Sequence, residues 1–262
     1  MAAVPRSLVA ARRAVKKAVA VGRTPRRKEI RAMSPEDAAL DNPVWAALTG
    51  PHAAFAEVSG LAARYQGDTT PFAALADPED PLAWADLAAL AGPGMPVWVT
   101  GLLKPPPGWD TVATIPGVQL DGRAVRAVAA PDAVVLGPAD VPEMTELVEL
   151  AKPGPFLART VELGTYLGIR HEGRLVAMAG ERMRPAGWSE ISAVCTHPDH
   201  RGQGLAGRLI RAVAAAVRER GDSPFLHAAA DNTRAIALYE SMGFTLRRRP
   251  DFLGLRTPDK KP

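Results

Sequence analysis

The sequence has little cysteine and no long apolar run. Its single cysteine, Cys195, excludes an internal disulfide and fits a reducing compartment, so we expect a cytoplasmic protein. No uninterrupted run of about 18 apolar residues occurs, so no segment is predicted to span a membrane. Hydrophobic residues make up 47% of the 262 residues, which is enough for a packed core and argues against a disordered chain.

The excess of positive charge is confined to the start of the chain. Residues 1–31 contain ten Lys or Arg and one acid, whereas the rest has 22 basic and 27 acidic residues. The poor helical periodicity of residues 1–32 predicts a disordered basic arm, or residues added by an upstream start codon. A targeting sequence and a nucleic-acid-binding arm are the alternatives. Because the remainder is mildly acidic, phosphate contacts would depend on this arm alone, which argues against a nucleic-acid partner.

A glycine-rich loop opens directly into a helix near residue 205. Gly202 and Gly204 follow Arg201, and apolar residues then recur at helical spacing up to Val217. The glycines remove the Cβ atoms that would keep a diphosphate away from the N–H groups at the helix N-terminus. The loop has neither the Gly-Lys-Ser/Thr ending of a P-loop nor the spacing of a dinucleotide-binding turn. Taken alone, it is equally consistent with a tight turn before an ordinary packed helix.

Two segments resemble the GNAT superfamily of acyl-CoA-dependent N-acetyltransferases. The stretch Arg201-Gly202-Gln203-Gly204-Leu205-Ala206 matches the Arg/Gln-x-x-Gly-x-Gly/Ala signature of that superfamily. Residues 193–198 look like the strand that leads into this loop. Residues 225–244, a strand-like run followed by a helix, resemble the second conserved block of the same superfamily at a family-like distance. The two blocks in this order make the resemblance specific.

The resemblance implies acetyl-CoA as co-substrate and a primary amine, on a small molecule or a peptide, as acceptor. The cofactor-binding residues that it implies are Val194, Cys195, Thr196, Arg201, Gly202, Gln203, Gly204, Leu205, Ala206 and Asn232. Tyr239 occupies the position of the tyrosine that protonates the departing thiolate, and an ordinary phenol keeps its proton at neutral pH. A helix cap is the other role open to Asn232, and a core position is the other role open to Tyr239.

An ammonium group must lose a proton before it attacks a thioester, and Glu190 is the candidate general base. Strand alternation predicts two sets of side chains on opposite faces: Glu190, Ser192, Val194 and Thr196 on one, Ile191, Ala193 and Cys195 on the other. A solvent-facing charge is the other interpretation of Glu190. The same alternation turns Cys195 away from Glu190, which argues against a covalent cysteine mechanism. A lone cysteine also argues against zinc, so no metal is expected.

The order of predicted elements gives the fold class. Residues 126–262 have the pattern β-α-β-β-β-α-β-α-β, so we expect an α/β (α+β) fold with a mixed, mostly antiparallel central sheet flanked by helices. Residues 33–125 are predicted to form a smaller α/β domain, either a degenerate copy of the acetyltransferase fold or an unrelated cap. We predict a direct-transfer N-acetyltransferase, monomeric or homodimeric. A non-catalytic acyl-CoA-binding or regulatory module and a nucleic-acid-associated protein are the alternatives.

Overall fold

A mixed β-sheet with helices packed against it dominates the computed structural model, which describes residues 35–259. Up to residue 125 the helices and strands are α1 (Pro35–Ala39), α2 (Pro43–Leu48), β1 (Ala56–Ser59), β2 (Ala62–Tyr65), β3 (Ala73–Leu75), α3 (Pro81–Ala91), β4 (Pro96–Gly101) and β5 (Asp110–Asp121). Beyond it they are β6 (Val134–Leu136), α4 (Val141–Ala151), β7 (Tyr166–His171), β8 (Arg174–Glu181), β9 (Trp188–Thr196), α5 (Leu205–Glu219), β10 (Ser223–Ala229), α6 (Thr233–Ser241), β11 (Thr245–Arg248) and β12 (Asp251–Arg256). The predicted basic arm, residues 1–32, lies outside the described residues.

The strands of residues 35–259 fall into two sheets. The small sheet has the order β1-β2-β3, and the large one has the order β4-β12-β5-β10-β9-β8-β7-β6, with β11 also paired to β5. Strands β9 and β10 run parallel, and the other strand pairs of the large sheet are antiparallel. The expected fold class, a mixed and mostly antiparallel sheet with flanking helices, is confirmed.

Helices α5 and α4 cover the two faces of the sheet around β8. Leu209 and Val213 of α5 are fully buried in one cluster with Ala177 and Ala179 of β8. Met178, which lies between those alanines, belongs instead to the cluster built around α4. Successive side chains of a strand point to opposite faces, so the apolar run of β8 is what a strand covered on both sides requires.

The predicted domain boundary near residue 125 stays a prediction. Strand β5 ends before it, yet β5 pairs with β10 and β12 from beyond it, and β4 also pairs with β12. Strands from both segments therefore share the large sheet, and the described residues belong to one compact unit. None of the helices α1 to α6 has the length and apolar character needed to cross a membrane.

Candidate active site

A turn built on two glycines precedes α5. Gly202 and Gly204 have φ angles of 80° and 74°, in the left-handed region that residues with a Cβ rarely adopt. A Cβ atom added to either glycine would meet nothing within 4 Å, so the space beside them is open. The N–H groups of the first turn of α5 have no intrahelical acceptors and lie at the positive end of the helix dipole. This arrangement suits a phosphate group.

A cleft of about 570 Å³ lies at this turn. Its walls include five of the residues predicted from the loop and helix, namely Arg201, Gly202, Gly204, Leu205 and Ala206. Gln203, which the resemblance also implies, is not part of the walls. The loop therefore borders the cleft through its two glycines and Arg201.

Two arginines that the sequence analysis missed also line this cleft. Arg211 lies on α5 and Arg234 on α6. Arg211 follows Gly204 by about two helical turns, so the helical period places it on the same side of α5 as the loop. This spacing from Gly204 is the sequence feature from which Arg211 could have been predicted. With Arg201 they give the cleft wall three arginines, whose positive charge favours a ligand with several phosphate groups.

Strands β9 and β10 diverge beside the cleft. Their parallel pairing ends at the partners Glu190 and Phe225, although β9 continues to Thr196 and β10 to Ala229. Beyond that point β9 pairs with β8 and β10 pairs with β5. Backbone groups on the inner edge of β9 are thus left without a strand partner next to Val194, Cys195 and Thr196, which line the cleft. Their predicted contact with the co-substrate stays a prediction.

The predicted alternation of side chains along β9 is wrong, because the strand contains a bulge. Ala193 has a φ angle of 51°, and the register against β8 shifts at this point. Ile191 packs in the α5 cluster, whereas Ala193 and Cys195 pack in the α4 cluster. A bulge inserts one residue and reverses the alternation beyond it. The inference that Cys195 and Glu190 point to opposite faces therefore does not hold.

Tyr239 and Asn232 reach the cleft from α6. Tyr239 is 8% exposed, and burial raises the pKa of its phenol to about 12. Within residues 35–259 its hydroxyl makes no hydrogen bond, so it is available as a donor to a bound molecule. The Asn232 side chain accepts a hydrogen bond from the Ala235 amide at 3.2 Å and caps α6, while the residue also lines the cleft. The helix-cap role of Asn232 is therefore confirmed, and its role in cofactor binding stays a prediction.

Cys195 is a buried thiol that is only 5% exposed. Burial raises its pKa to about 12, so the group is a neutral thiol at ordinary pH. A neutral thiol is a weak nucleophile, which argues against a covalent cysteine mechanism even though the alternation argument fails. The side chain contributes to packing against α4.

Glu190 does not line the cleft and has no exposed surface, so its interpretation as a solvent-facing charge is wrong. Its Oε1 accepts a hydrogen bond from Arg182 Nη2 at 2.7 Å, and its Oε2 accepts one from Arg182 Nε at 2.9 Å. Burial by itself raises the pKa of Glu190, but the Arg182 charge and the hydrogen bonds from His227 and Arg182 outweigh it and hold the pKa at about 2. A carboxylate in this setting is a weak proton acceptor.

His227 holds Glu190 from the β10 side. Its Nδ1 lies 2.8 Å from Glu190 Oε1, and its Nε2 lies 3.1 Å from the side-chain nitrogen of Gln119. That nitrogen also donates to the Leu40 carbonyl, and Arg247 donates to the Gln119 oxygen, so the amide orientation is defined. We therefore assign the imidazole proton to Nδ1, with Nε2 as acceptor. This contact ties the Glu190 ion pair to the N-terminal segment.

A second space, the apolar cavity, has a volume of about 340 Å³. Aromatic side chains of Phe72, Trp98 and Phe252 form much of its wall, and the polar groups are those of Arg182 and His227. Residues 227–229 of β10 line it, whereas residues 194–196 of β9 line the cleft. Of the two diverging strands, β9 therefore borders the cleft and β10 borders the apolar cavity.

Comparison with known proteins places the match in the C-terminal part of the chain. The family model described as FR47-like protein matches residues 166–253. The N-alpha-acetyltransferase RimI of Mycobacterium tuberculosis is 37% identical over 90 residues, which are 32% of this chain and 56% of that protein. The chain therefore matches little more than half the length of this curated relative.

Solved structures extend the match over most of the chain. A GCN5-related N-acetyltransferase from Kribbella flavida superimposes with a TM-score of 0.54 over 78% of this chain and 89% of its own, at 18% identity, which supports the fold alone. A GNAT-family structure from Novosphingobium aromaticivorans superimposes with a TM-score of 0.76 at 43% identity, over 82% of this chain and 97% of its own. With that identity over nearly the whole relative, the chain belongs to the GNAT family of acetyltransferases.

Proposed function

We propose that the protein moves the acetyl group of acetyl-CoA directly to a primary amine. The observation that carries the proposal is the cleft at the start of α5, where the glycine turn of Gly202 and Gly204 and the more distant Tyr239 meet. The open left-handed turn fits a diphosphate, and three arginines suit the phosphate groups of coenzyme A. When bound, acetyl-CoA supplies an activated acetyl thioester.

The inner edge of β9 would hold the reacting end of the co-substrate. Beyond Glu190 this edge has lost its pairing with β10, so its backbone groups can bond to the pantetheine arm and to the thioester oxygen. A backbone N–H held in a sheet needs no reorganisation when charge develops on that oxygen. The bulge at Ala193 lies within this edge and changes the direction of its groups.

Tyr239 is proposed as the general acid. As the nitrogen of the neutral amine bonds to the acetyl carbon and the carbon–sulfur bond breaks, Tyr239 would give its phenol proton to the departing sulfur. The nitrogen would lose its second proton to water, and a proton from water would restore the phenol. A phenol whose pKa is raised to about 12 by burial stays protonated at neutral pH, and its hydroxyl has no partner in residues 35–259 that would compete.

Glu190 as general base stays a prediction, and its surroundings give it little support. Both oxygens are engaged by Arg182 and His227, and the low pKa makes proton uptake unfavourable. We propose instead that the amine gives its proton to water before it reacts. An apolar cavity disfavours the charged ammonium form and so lowers the pKa of an amine that enters it.

The names of the relatives suggest which kind of amine to test as acceptor. The Mycobacterium protein is named as an N-alpha-acetyltransferase, which makes α-amines the first acceptors to test here. A small-molecule amine and a peptide amine both remain within this proposal. A cytoplasmic location and a monomeric or homodimeric state also stay predictions.

A non-catalytic acyl-CoA-binding module is the second candidate, and the engagement of Glu190 in an ion pair is the observation that favours it. The test incubates the protein with acetyl-CoA and a panel of primary amines, and measures free thiol together with acetylated amine. An acetyltransferase produces both in equal amounts. A binding module retains coenzyme A in calorimetry but releases thiol no faster than a reaction without protein.

A further inference from the structure

We propose that the apolar cavity is the acceptor site and that it selects an apolar primary amine carrying an uncharged carbonyl oxygen, which accepts a hydrogen bond from Arg182. This inference rests on the proposed acetyl transfer and names the substrate class for it. Three observations support it: the composition of the cavity wall, an unused donor of Arg182, and the balance of charge around that donor.

The wall favours a compact apolar body. The rings of Phe72 and Phe252 lie 6.1 Å apart, and Trp98 and Ile115 add further apolar surface. A volume of about 340 Å³ suits a small molecule or a single residue at a chain end. None of the residues that line the cavity is acidic, so it offers no counter-charge to an ammonium group or to a polyamine.

Arg182 presents a donor that the protein does not use. The residue is 7% exposed, and its guanidinium group lies 4.9 Å from the centre of the Phe72 ring. Its Nε and Nη2 atoms donate to Glu190, whereas Nη1 makes no hydrogen bond within residues 35–259. Since Arg182 lines the cavity, a ligand oxygen there accepts a hydrogen bond from Nη1, which the bound ligand would otherwise cover and leave unpaired.

The charge around Arg182 determines which kind of oxygen fits. Glu190 already neutralises the guanidinium group through two hydrogen bonds. A ligand carboxylate would therefore enter an apolar site without a counter-charge of its own, which is unfavourable. The oxygen of an amide, ester or ketone accepts the same hydrogen bond without bringing a charge.

Matched amines test the substrate class. We compare L-phenylalaninamide with 2-phenylethylamine, which lacks the carbonyl, with L-phenylalanine, which has a carboxylate, and with glycinamide, which lacks the ring. At equal concentrations of neutral amine, kcat/KM is expected to be about 10- to 100-fold higher for L-phenylalaninamide than for each of the others. Equal values for L-phenylalaninamide and 2-phenylethylamine would overturn the role of the carbonyl oxygen.

Two variants test the location. Ala229→Leu places a larger side chain at the cavity wall and should lower kcat/KM for L-phenylalaninamide at least ~10-fold while coenzyme A binding is retained. Ala89→Leu, at an exposed position of α3, is the matched control and should change neither quantity. Arg182→Lys keeps a positive charge beside Glu190 but removes the unused donor, so the ratio of kcat/KM between L-phenylalaninamide and 2-phenylethylamine should fall toward one.

The outcomes separate this inference from the proposed function. Acetylation of amines that is unaffected by Ala229→Leu would overturn the assignment of the cavity and leave acetyl transfer standing. Retention of the carbonyl preference in Arg182→Lys would overturn the role of that residue. If coenzyme A binds and only amines outside this series are acetylated, the substrate class fails while acetyl transfer stands. If no amine of the series or of the wider panel is acetylated, the proposed function fails, and the substrate class fails with it.

Discussion

The two ends of α5 offer a controlled test of coenzyme A binding. Gly204 precedes the helix with a φ angle of 74°, and Gly221 follows it with a φ angle of 82°. A Cβ atom added to either would meet nothing within 4 Å. Gly204→Val and Gly221→Val therefore impose nearly the same backbone strain in open surroundings, but only Gly204 lines the cleft.

The expected magnitudes follow from that geometry. A left-handed conformation costs a residue with a Cβ about 1–2 kcal/mol, which for a domain of this size lowers Tm by about 2–8 °C in both variants. At position 204 the valine side chain also occupies the approach of the diphosphate to the first turn of α5. Loss of two hydrogen bonds to a charged group, at about 1.5–3 kcal/mol each, weakens binding by at least ~100-fold.

Calorimetric titration of coenzyme A, together with thermal melting, measures both effects. We expect similar melting temperatures for the two variants, with coenzyme A binding lost in Gly204→Val and retained in Gly221→Val. Equal affinities in the two variants would refute the assignment of the glycine turn as the diphosphate site.

Three other variants test the acid, the ion pair and a buried histidine. Tyr239→Phe keeps the ring but removes the hydroxyl, so single-turnover transfer should fall ~10²–10⁴-fold with coenzyme A affinity unchanged; a parental rate would return Tyr239 to a packing role. Glu190→Gln leaves the Arg182 charge buried without its partner, so chemical denaturation should show a loss of about 3–5 kcal/mol, and an equally stable variant would contradict this. In the parent protein, burial raises the pKa of Glu190, but Arg182 outweighs this effect and holds the pKa at about 2. The ionised Glu190 therefore stabilises the fold fully above pH 4.5, and this stabilisation is lost as the pH falls toward 2. Burial lowers the pKa of His52 to about 4, so the unfolded chain binds an extra proton between pH 6.5 and 4. The stability of the fold therefore decreases as the pH drops through that range. His52→Gln should remove this pH dependence of Tm, and an unchanged pH dependence in melting experiments would assign it to other groups.

The parts of the site that depend on local sequence were predictable. Gly202 and Gly204 indicate a turn with positive φ angles, and the apolar spacing after them indicates the buried side of α5. Asn232 indicates a helix cap by its residue type and position. These features depend on short-range geometry, which the order of residues encodes directly.

The setting of Glu190 could not be predicted in this way. Its partners, Arg182 and His227, come from the neighbouring strands β8 and β10, and that proximity exists only once the sheet has formed. The bulge at Ala193 is a second example. A single inserted residue reverses which face of the strand the later side chains occupy. The residue type does not indicate this bulge, because alanine rarely adopts a positive φ angle.

The contribution of the N-terminal segment to the large sheet could not be predicted from the sequence either. Strand β5 pairs with β10 on one side and with β11 and β12 on the other, all from the far end of the chain. Such long-range pairing has no local signature. Its consequence for the site is direct, because Phe72, Trp98 and Ile115 from this segment line the apolar cavity.

Transfer of the acetyl group to an amine is the central claim, and product analysis tests it most directly. The protein is incubated with acetyl-CoA and a panel of α-amines, free thiol is measured over time, and the amines are analysed by mass spectrometry. We predict thiol and N-acetylated amine in equal amounts, both absent with Gly204→Val. Tight binding of coenzyme A, with neither product formed above the rate without protein, would contradict the account.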